Sequence, residues 1–274
     1  MYLMDFYFDG ESLSDHRAAI GGISGTDENV NLGNVRTINT VDIRDIAHVI
    51  NDSYDEKIAF EFDIISDPCE DRLYFSDEEI YAIQIWLNNR KGFRKFVPIY
   101  DDDSFHDIYI NGSFTSVTGI KIGQEIIGFH LVFTGNAPYF FTDKKVKKVL
   151  TSENNTIRVF NDSQEIGITP FTHFEIKCKE AGNLILRNDQ EPDRKVEVKN
   201  CVANEIIVFD GLHEVITSSE THNKLYNDFN YNWPRLIRNE FGETQNVISL
   251  DSEGIQATEI IAKYAAVRKV GLIV

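Results

Sequence analysis

Histidines, cysteines and clustered carboxylates are the side chains in this sequence with the chemistry for catalysis or metal binding. Seven histidines stand at positions 16, 48, 106, 130, 173, 213 and 222. They are far apart, and none falls in the H-E-x-x-H pattern that turns two imidazoles toward one zinc ion. His106 precedes Asp107, but neighbours on a strand point to opposite faces and cannot share a proton. His130, inside an alternating run, reads as a satisfied structural residue. Asp101, Asp102, Asp103 and Asp107 form the densest carboxylate group. Calcium takes oxygen ligands, yet the D-x-D-x-D-G order and the twelfth-position Glu of a calcium loop are missing. A solvated acidic loop is expected there. Glycosidase-type acid pairs can come from distant strands, and abundance of acids does not single any out.

Cys69, Cys178 and Cys201 are widely spread with no CxxC pair. That pattern fits a reduced compartment and gives neither a disulfide framework nor a zinc site. Gly21, Gly22 and Gly25 in IGGISG miss the GxGxxG spacing, and neither a Walker A motif nor a GxSxG elbow occurs. No catalytic, cofactor-binding or metal-ligating residue is therefore assigned. The expectation is a chain that is not an enzyme and needs no cofactor.

The elements that would position such residues are mostly strands. Residues 2 to 8 (YLMDFYF) read as a strand closed by the Asp9-Gly10 turn signal. Ser24 to Leu32 reads as a loop or extended arm. In Lys57 to Ser66, Ile58, Phe60, Phe62 and Ile64 alternate with polar or small residues, the period-two signature of a strand with one buried face. One helix stands out, about residues 77–91. Ser76 and Glu79 form a capping box, Ile80, Ile83 and Leu87 recur at helical spacing beside Trp86, and Arg90, Lys91 and Gly92 suit its C-terminal end. Strands follow at Phe96–Tyr100, Ile108–Phe114 and Ile126–Thr134. After Asn136 to Thr142 comes a basic stretch, Lys144, Lys145, Lys147 and Lys148, and a domain boundary is placed near residue 142.

The second half shows short apolar runs at Ile157–Phe160, Phe174–Cys178, Leu184–Leu186, Val196–Val198 and Glu205–Phe209, punctuated by Asp189 to Asp193 with Pro192 and by Asp210-Gly211. Spacing of about ten residues suggests an all-β sandwich or jelly roll. A strand-like tail, Ile255 to Val274, ends the chain, with Thr258, Ile260, Ala262, Tyr264 and Ala266 on one parity. The expected fold is thus mainly β with one N-terminal helix, divided into domains 1–142 and 143–274.

Composition agrees. The chain has 274 residues, 42% hydrophobic and 12% aromatic, with 19 Phe and 11 Tyr, a balance that suits pleated, half-buried surfaces. Forty-four acids against 27 bases give a net charge of −17, which argues against a grip on nucleic-acid phosphates. Solubility is the plain reading of that charge. An acidic lumen through which DNA passes without sticking is the functional one. The N-terminus lacks a basic signal-peptide region, and no apolar run approaches the roughly 18 residues of a membrane span. A soluble chain made in the cytosol, with no membrane partner, is expected.

Three stretches taken together resemble the phage distal tail protein (Dit) family. The first is IAFEFDIIS, the helix ending IQIWLNNRKG, and FVPIYDDD. The second is GFHLVFTGNAPYFF, with its Pro138-Tyr139 junction. The third is FNYNWPRLIRNEFGETQNVISL followed by VRKVG, in which Trp233, Pro234, Arg235 and Leu236 match an aromatic-Pro-Arg-Leu segment. The final strand runs past the family's usual ending, and residues 24–32 align poorly, which leaves siphovirus-like and contractile tails both open. The resemblance implies an N-terminal sandwich or barrel-like ring domain and a C-terminal jelly-roll, galectin- or carbohydrate-binding-module-like domain projecting outward. It also implies a homo-hexameric ring in the virion tail, joining the tail tube protein to the tail-tip or tail-associated protein. The tape measure protein or a receptor-binding protein would be further partners. The alternative is a carbohydrate-binding adhesin using Trp233, Tyr226 and Tyr231, and a wall-degrading hydrolase stands last.

Overall fold

A computed structural model describes residues 3–22, 36–43, 46–54, 57–69, 72–88, 90–101, 107–151, 153–240, 242 and 244–269, with only the backbone of 36–54. The loop expected at Ser24–Leu32, and Asp102, Asp103 and His106 of the acidic segment, lie outside the described residues. The chain is mainly β and antiparallel, and its contacts group into two units, one of the residues up to Phe141 together with those from Arg268 and one spanning Thr142–Val267.

The first unit contains β1 (Leu3–Phe8), β2 (Glu11–Ser12), β3 (Ala18–Gly22), β4 (Arg36–Ile43), β5 (Ile46–Tyr54), β6 (Ala59–Ser66), α1 (Asp77–Asn88), β7 (Arg94–Tyr100), β8 (Ile108–Ile122) and β9 (Glu125–Gly135). Asp9 and Gly10 turn β1 into β2 with φ of 52° and 90°, the double left-handed geometry of a tight hairpin. The sheet runs β2-β1-β7-β8-β9-β6-β3, while β4 and β5 pair with each other. In a flat sheet β1 and β6 would stand about 19 Å apart. The rings of Phe6 on β1 and Phe62 on β6 are 5.5 Å apart, so the sheet is rolled. Phe96, Phe114 and Phe133 fill the same interior.

The helix forms where the capping box predicts it. Ser76 N donates to Glu79 Oε2 (2.6 Å), and Glu79 N donates to Ser76 Oγ (3.4 Å). Ile83, Trp86 and Leu87 are buried. Trp86 stacks between Phe6 and His16 and donates its indole N–H to Phe8 O at 2.8 Å. The helix ends at Asn88, short of the expected residue 91. Arg90 does not cap the dipole: its guanidinium ion-pairs with Asp9 (3.5 Å) and Glu11 (2.6 Å) at the β1–β2 turn. Strand β8 also runs eight residues past the Ile108–Phe114 read from its alternation.

The strand β10 (Phe140–Val149) carries the lysine run. Lys144 pairs with Asp162 (3.2 Å) and Lys147 with Glu259 (2.8 Å), while Lys148 donates to the neutral Asn154 Oδ1 (2.7 Å), so part of the local positive charge is compensated. The second unit continues with β11 (Thr156–Asn161), β12 (Gly167–Cys178), β13 (Gly182–Asn188), β14 (Glu191–Cys201), β15 (Ile206–Asp210), β16 (Val215–Ser218), α2 (Leu225–Asp228), β17 (Arg235–Arg238), β18 (Thr244–Leu250) and β19 (Ala257–Arg268). One sheet runs β16-β15-β12-β19-β10 and the other β11-β18-β13-β14.

Between them lies one core. Phe174, Ile176, Phe209 and Ile260 come from the first sheet, and Val159, Leu186, Val198 and Ile248 from the second. Ile260, Ala262, Tyr264 and Ala266 are buried on the parity read from the tail. Pro192 is not a breaker between strands. It is the second residue of β14, an edge strand where a missing N–H costs no ladder bond. No helix among the described residues is long and apolar enough to cross a membrane.

Candidate functional site

A dense group of titratable side chains in the second unit is assembled from three short segments. Glu205 stands just before β15, Ser218 ends β16, His222 lies in the turn before α2 and Asp228 is the last residue of α2. Glu205 is fully buried. Its Oε1 accepts from Ser218 Oγ (2.6 Å) and His222 Nδ1 (2.8 Å), and its Oε2 accepts from Val202 N (2.7 Å). His222 Nε2 lies 3.2 Å from Asp228 Oδ2, and Asp228 Oδ1 accepts from Asn200 Nδ2 at 3.0 Å. Both imidazole nitrogens therefore face carboxylate oxygens, which only accept, so the ring is held as a doubly donating imidazolium.

The titration behaviour follows from this geometry. Burial pushes the Glu205 carboxyl up, but the bonds from Ser218, Val202 and His222 outweigh it and hold the group below its usual range. Burial works against the charged form of His222, and Glu205 and Asp228 more than reverse that, so its pKa is raised. A cleft of about 280 Å³ opens beside the cluster, lined by Asn200, Val202, Thr221, His222, Lys224 and Asp228 among others.

The arrangement does not make a nucleophile. Ser218 donates to Glu205 and not to His222, so no imidazole faces the hydroxyl, and the carboxylate it meets is already committed to His222 and Val202 N. Among the described residues no three His, Cys, Asp or Glu groups are placed to hold a metal ion. What the cluster does is tie the β15–β16 end of one sheet to α2 and, through Asn200, to β14 of the other.

The residues singled out in sequence lie elsewhere. His130 bonds Asp63 through Nδ1 at 2.8 Å across the β6–β9 ladder. Asp107 precedes β8 with a φ of 63°, so it sits in a turn and not on a strand. Trp233 packs against Phe229 and Phe209 at the core margin. Arg235 forks onto Glu191, with Nε 2.8 Å from Oε2, and Leu236 is buried. The aromatic-Pro-Arg-Leu segment is thus built into the sandwich.

Tyr226 and Tyr231 are exposed. Tyr231 has a φ of 58° because Asn230 pins the turn to β14, accepting from Glu197 N (3.1 Å) and donating to Lys195 O (3.0 Å). In the first unit α1 turns an apolar face outward, with Tyr81 66% and Ile85 38% exposed at i and i+4 and Leu73 exposed just before the helix. The His222 cluster escaped the sequence reading because Glu205 and His222 are 17 residues apart and share no motif.

Residues 1–137 match the family model described as a phage tail protein N-terminal domain, and residues 139–258 match a phage tail C-terminal domain. No curated protein matches the chain in sequence. Among solved structures, the chain is similar to the Dit protein (gp 19.1) of phage SPP1, described as a paradigm of the hub adsorption apparatus in phages infecting Gram-positive bacteria. The TM-score is 0.65 at 12% identity, over 96% of this chain and 99% of that one. It is also similar to a chain of the phage p2 baseplate in its activated conformation with strontium, with a TM-score of 0.55 at 13% identity over 95% and 98%. At these identities the likeness establishes the fold.

Proposed function

We proceed from the fact that this chain belongs to the phage tail protein family defined by those two domains, and we propose that it is a ring-forming hub adaptor of a tail tip or baseplate. The observation that carries this reading is the end-to-end likeness to a hub protein, which spans both units and not one module alone. The first unit, taken as the domain 1–142, would form a homo-hexameric ring, and the second, 143–274, would project outward. Rings close when a head-to-tail interface repeats under rotation. The outward face of α1, with Tyr81, Ile85 and Leu73, offers apolar surface of the kind that interfaces cover.

The net charge of −17 suits a channel wall that repels passing DNA over the roughly 10 Å that salt allows. The role is structural and non-enzymatic, carried out in the virion tail after synthesis in the host cytoplasm. The tail tube protein would bind on one side and the tail-tip protein on the other, with the tape measure or a receptor-binding protein as further neighbours. Size-exclusion chromatography with light scattering and negative-stain imaging test the reading. Particles near six times the 31.4 kDa of one chain, with a central opening, are expected. A strict monomer at high concentration in every salt condition refutes it.

A second reading, a C-terminal unit that contacts cell-wall saccharides, draws support from Tyr231. Its left-handed backbone and 61% exposure make a rigidly presented aromatic, and strained exposed residues gather at functional surfaces. Binding of the full chain to a cell-wall preparation, lost in Tyr231→Ala, would favour it. Equal retention of both proteins would remove it.

A further inference from the structure

Two arginines stand at the margin of the second unit's core with one carboxylate to share. Arg235, the first residue of β17, forks onto Glu191 of β14: its Nε is 2.8 Å from Oε2, and its Nη2 bonds Oε1. Their side chains are 28% and 20% exposed. Arg194, three residues beyond Glu191, is half-buried too. Among the described residues it has no hydrogen-bond or ion-pair partner. The strand puts it there. Val196 and Val198 of β14 point into the core, and Arg194 shares their parity. Arg187 of β13 lies opposite Lys195, but Asn188 lies opposite Glu191, so Pro192, Asp193 and Arg194 bulge from the ladder. Bulges re-aim side chains. Arg194 and Arg235 line a pocket of about 10 Å³ whose apolar walls are Leu186, Val196, Pro234 and Ile248. Arg187, also in the lining, is committed elsewhere: its Nε bonds Asp251, and its Nη1 donates to Pro192 O at 3.0 Å.

The charges around this pocket do not balance. Glu191 attracts both guanidiniums but bonds only Arg235. Burial and the charge of Arg235 work against the Arg194 cation by more than Glu191 offsets. A fully exposed arginine would be hydrated and need no acceptor, whereas this one has open donors in a partly desolvated place. The chain carries 44 acids against 27 bases, so a guanidinium without a carboxylate does not reflect a shortage of acids.

We propose that Arg194 and Arg235 form a binding site for a phosphate group, one oxygen of which enters the pocket while Arg194 forks onto its neighbours. Guanidinium donors match oxyanions in this geometry. A pocket of about 10 Å³ holds about one water-sized atom, so a single oxygen fits there and a sugar or aromatic ring does not. A carboxylate has only two oxygens to offer. A phosphate has enough to reach both guanidiniums while Glu191 keeps its place on Arg235. The same chemistry serves a free phosphate ion and a phosphodiester, which differ in charge and in the bulk left outside the pocket.

The test is isothermal titration calorimetry of the full chain at fixed ionic strength, with inorganic phosphate in one arm and diethyl phosphate in the other. Saturable binding at one site per chain is expected in at least one arm. Binding of inorganic phosphate alone assigns the site to the free ion, and binding of diethyl phosphate alone assigns it to a diester. Arg194→Gln should weaken binding by about tenfold or more, as loss of charged hydrogen bonds does. Arg194→Lys, which keeps the charge but not the fork, should weaken it less. Arg158→Gln removes the same charge from an exposed position on β11 and should leave binding unchanged. In chloride alone Arg194→Gln should melt no lower than the native sequence, because it breaks no bond within the fold. Absence of saturable binding in both arms, or equal loss in Arg194→Gln and Arg158→Gln, overturns the proposal. The native titration decides the matter even if a variant folds poorly, and it depends neither on ring formation nor on Tyr231.

Discussion

Glu205 and His222 show how a buried ion pair acquires a pH window. His222 has a folded pKa raised above its usual 6.5. Its contribution is complete below 6.5 and is lost as pH rises through the folded value. Glu205 has a folded pKa lowered from 4.5, so its contribution is complete above 4.5 and is lost as pH falls through the folded value. The cluster should stabilise the second unit most between those two limits. The urea midpoint of the native sequence minus that of His222→Gln should be largest there and shrink as pH climbs above 6.5. A difference that ignores pH would count against the ion pair. Removing one partner strands the other: Glu205→Gln should cost about 3–5 kcal/mol at pH 6, the usual penalty for breaking a buried pair, measured by denaturant unfolding.

At the scale of elements, α1 and the β8–β9 ladder carry the sharpest predictions. Ser76→Ala removes the cap that donates to and accepts from Glu79 and should cost about 1 kcal/mol, visible as a lower melting temperature. Gly112 on β8 admits no side chain. A Cβ there would stand 2.2 Å from the Phe133 ring and 2.5 Å from Thr134 O, and the backbone oxygen cannot move aside. Gly112→Ala should lose about 1–3 kcal/mol, as overpacked cores do. Unfolding monitored through Trp86, buried in the same core, would report it. The capping box made α1 legible in sequence, because caps are local. The helix end was not, because Arg90 is claimed by Asp9 and Glu11, 79 residues away in the second case.

At the scale of the whole molecule, assembly is the property to test. If the α1 face is ring surface, Tyr81→Glu with Ile85→Lys should leave the monomer folded, since both side chains already face solvent, while shifting the mass distribution toward monomer. Unchanged rings would move the interface to another surface. Raising salt should leave an apolar contact in place, whereas exposed ion pairs weaken within a Debye length of about 8 Å.

The sequence by itself determined whatever depends on near neighbours. Period-two alternation around Phe62 and Ile64, the Asp9-Gly10 turn, the Ser76–Glu79 cap and the parity of Ile260, Ala262 and Tyr264 are all dictated by backbone geometry within a few residues. The hairpin of β4 and β5 passed unread, since no parity gathers the apolar residues of 36–54. Only the tertiary structure rolled the sheet until Phe6 met Phe62, recruited Arg90 to the first turn, and brought Glu205 to His222. Those pairings follow from which strands lie side by side, and strand order is decided by burying one shared core. Burial couples residues without regard to their separation along the chain, which is why local pattern could not disclose them.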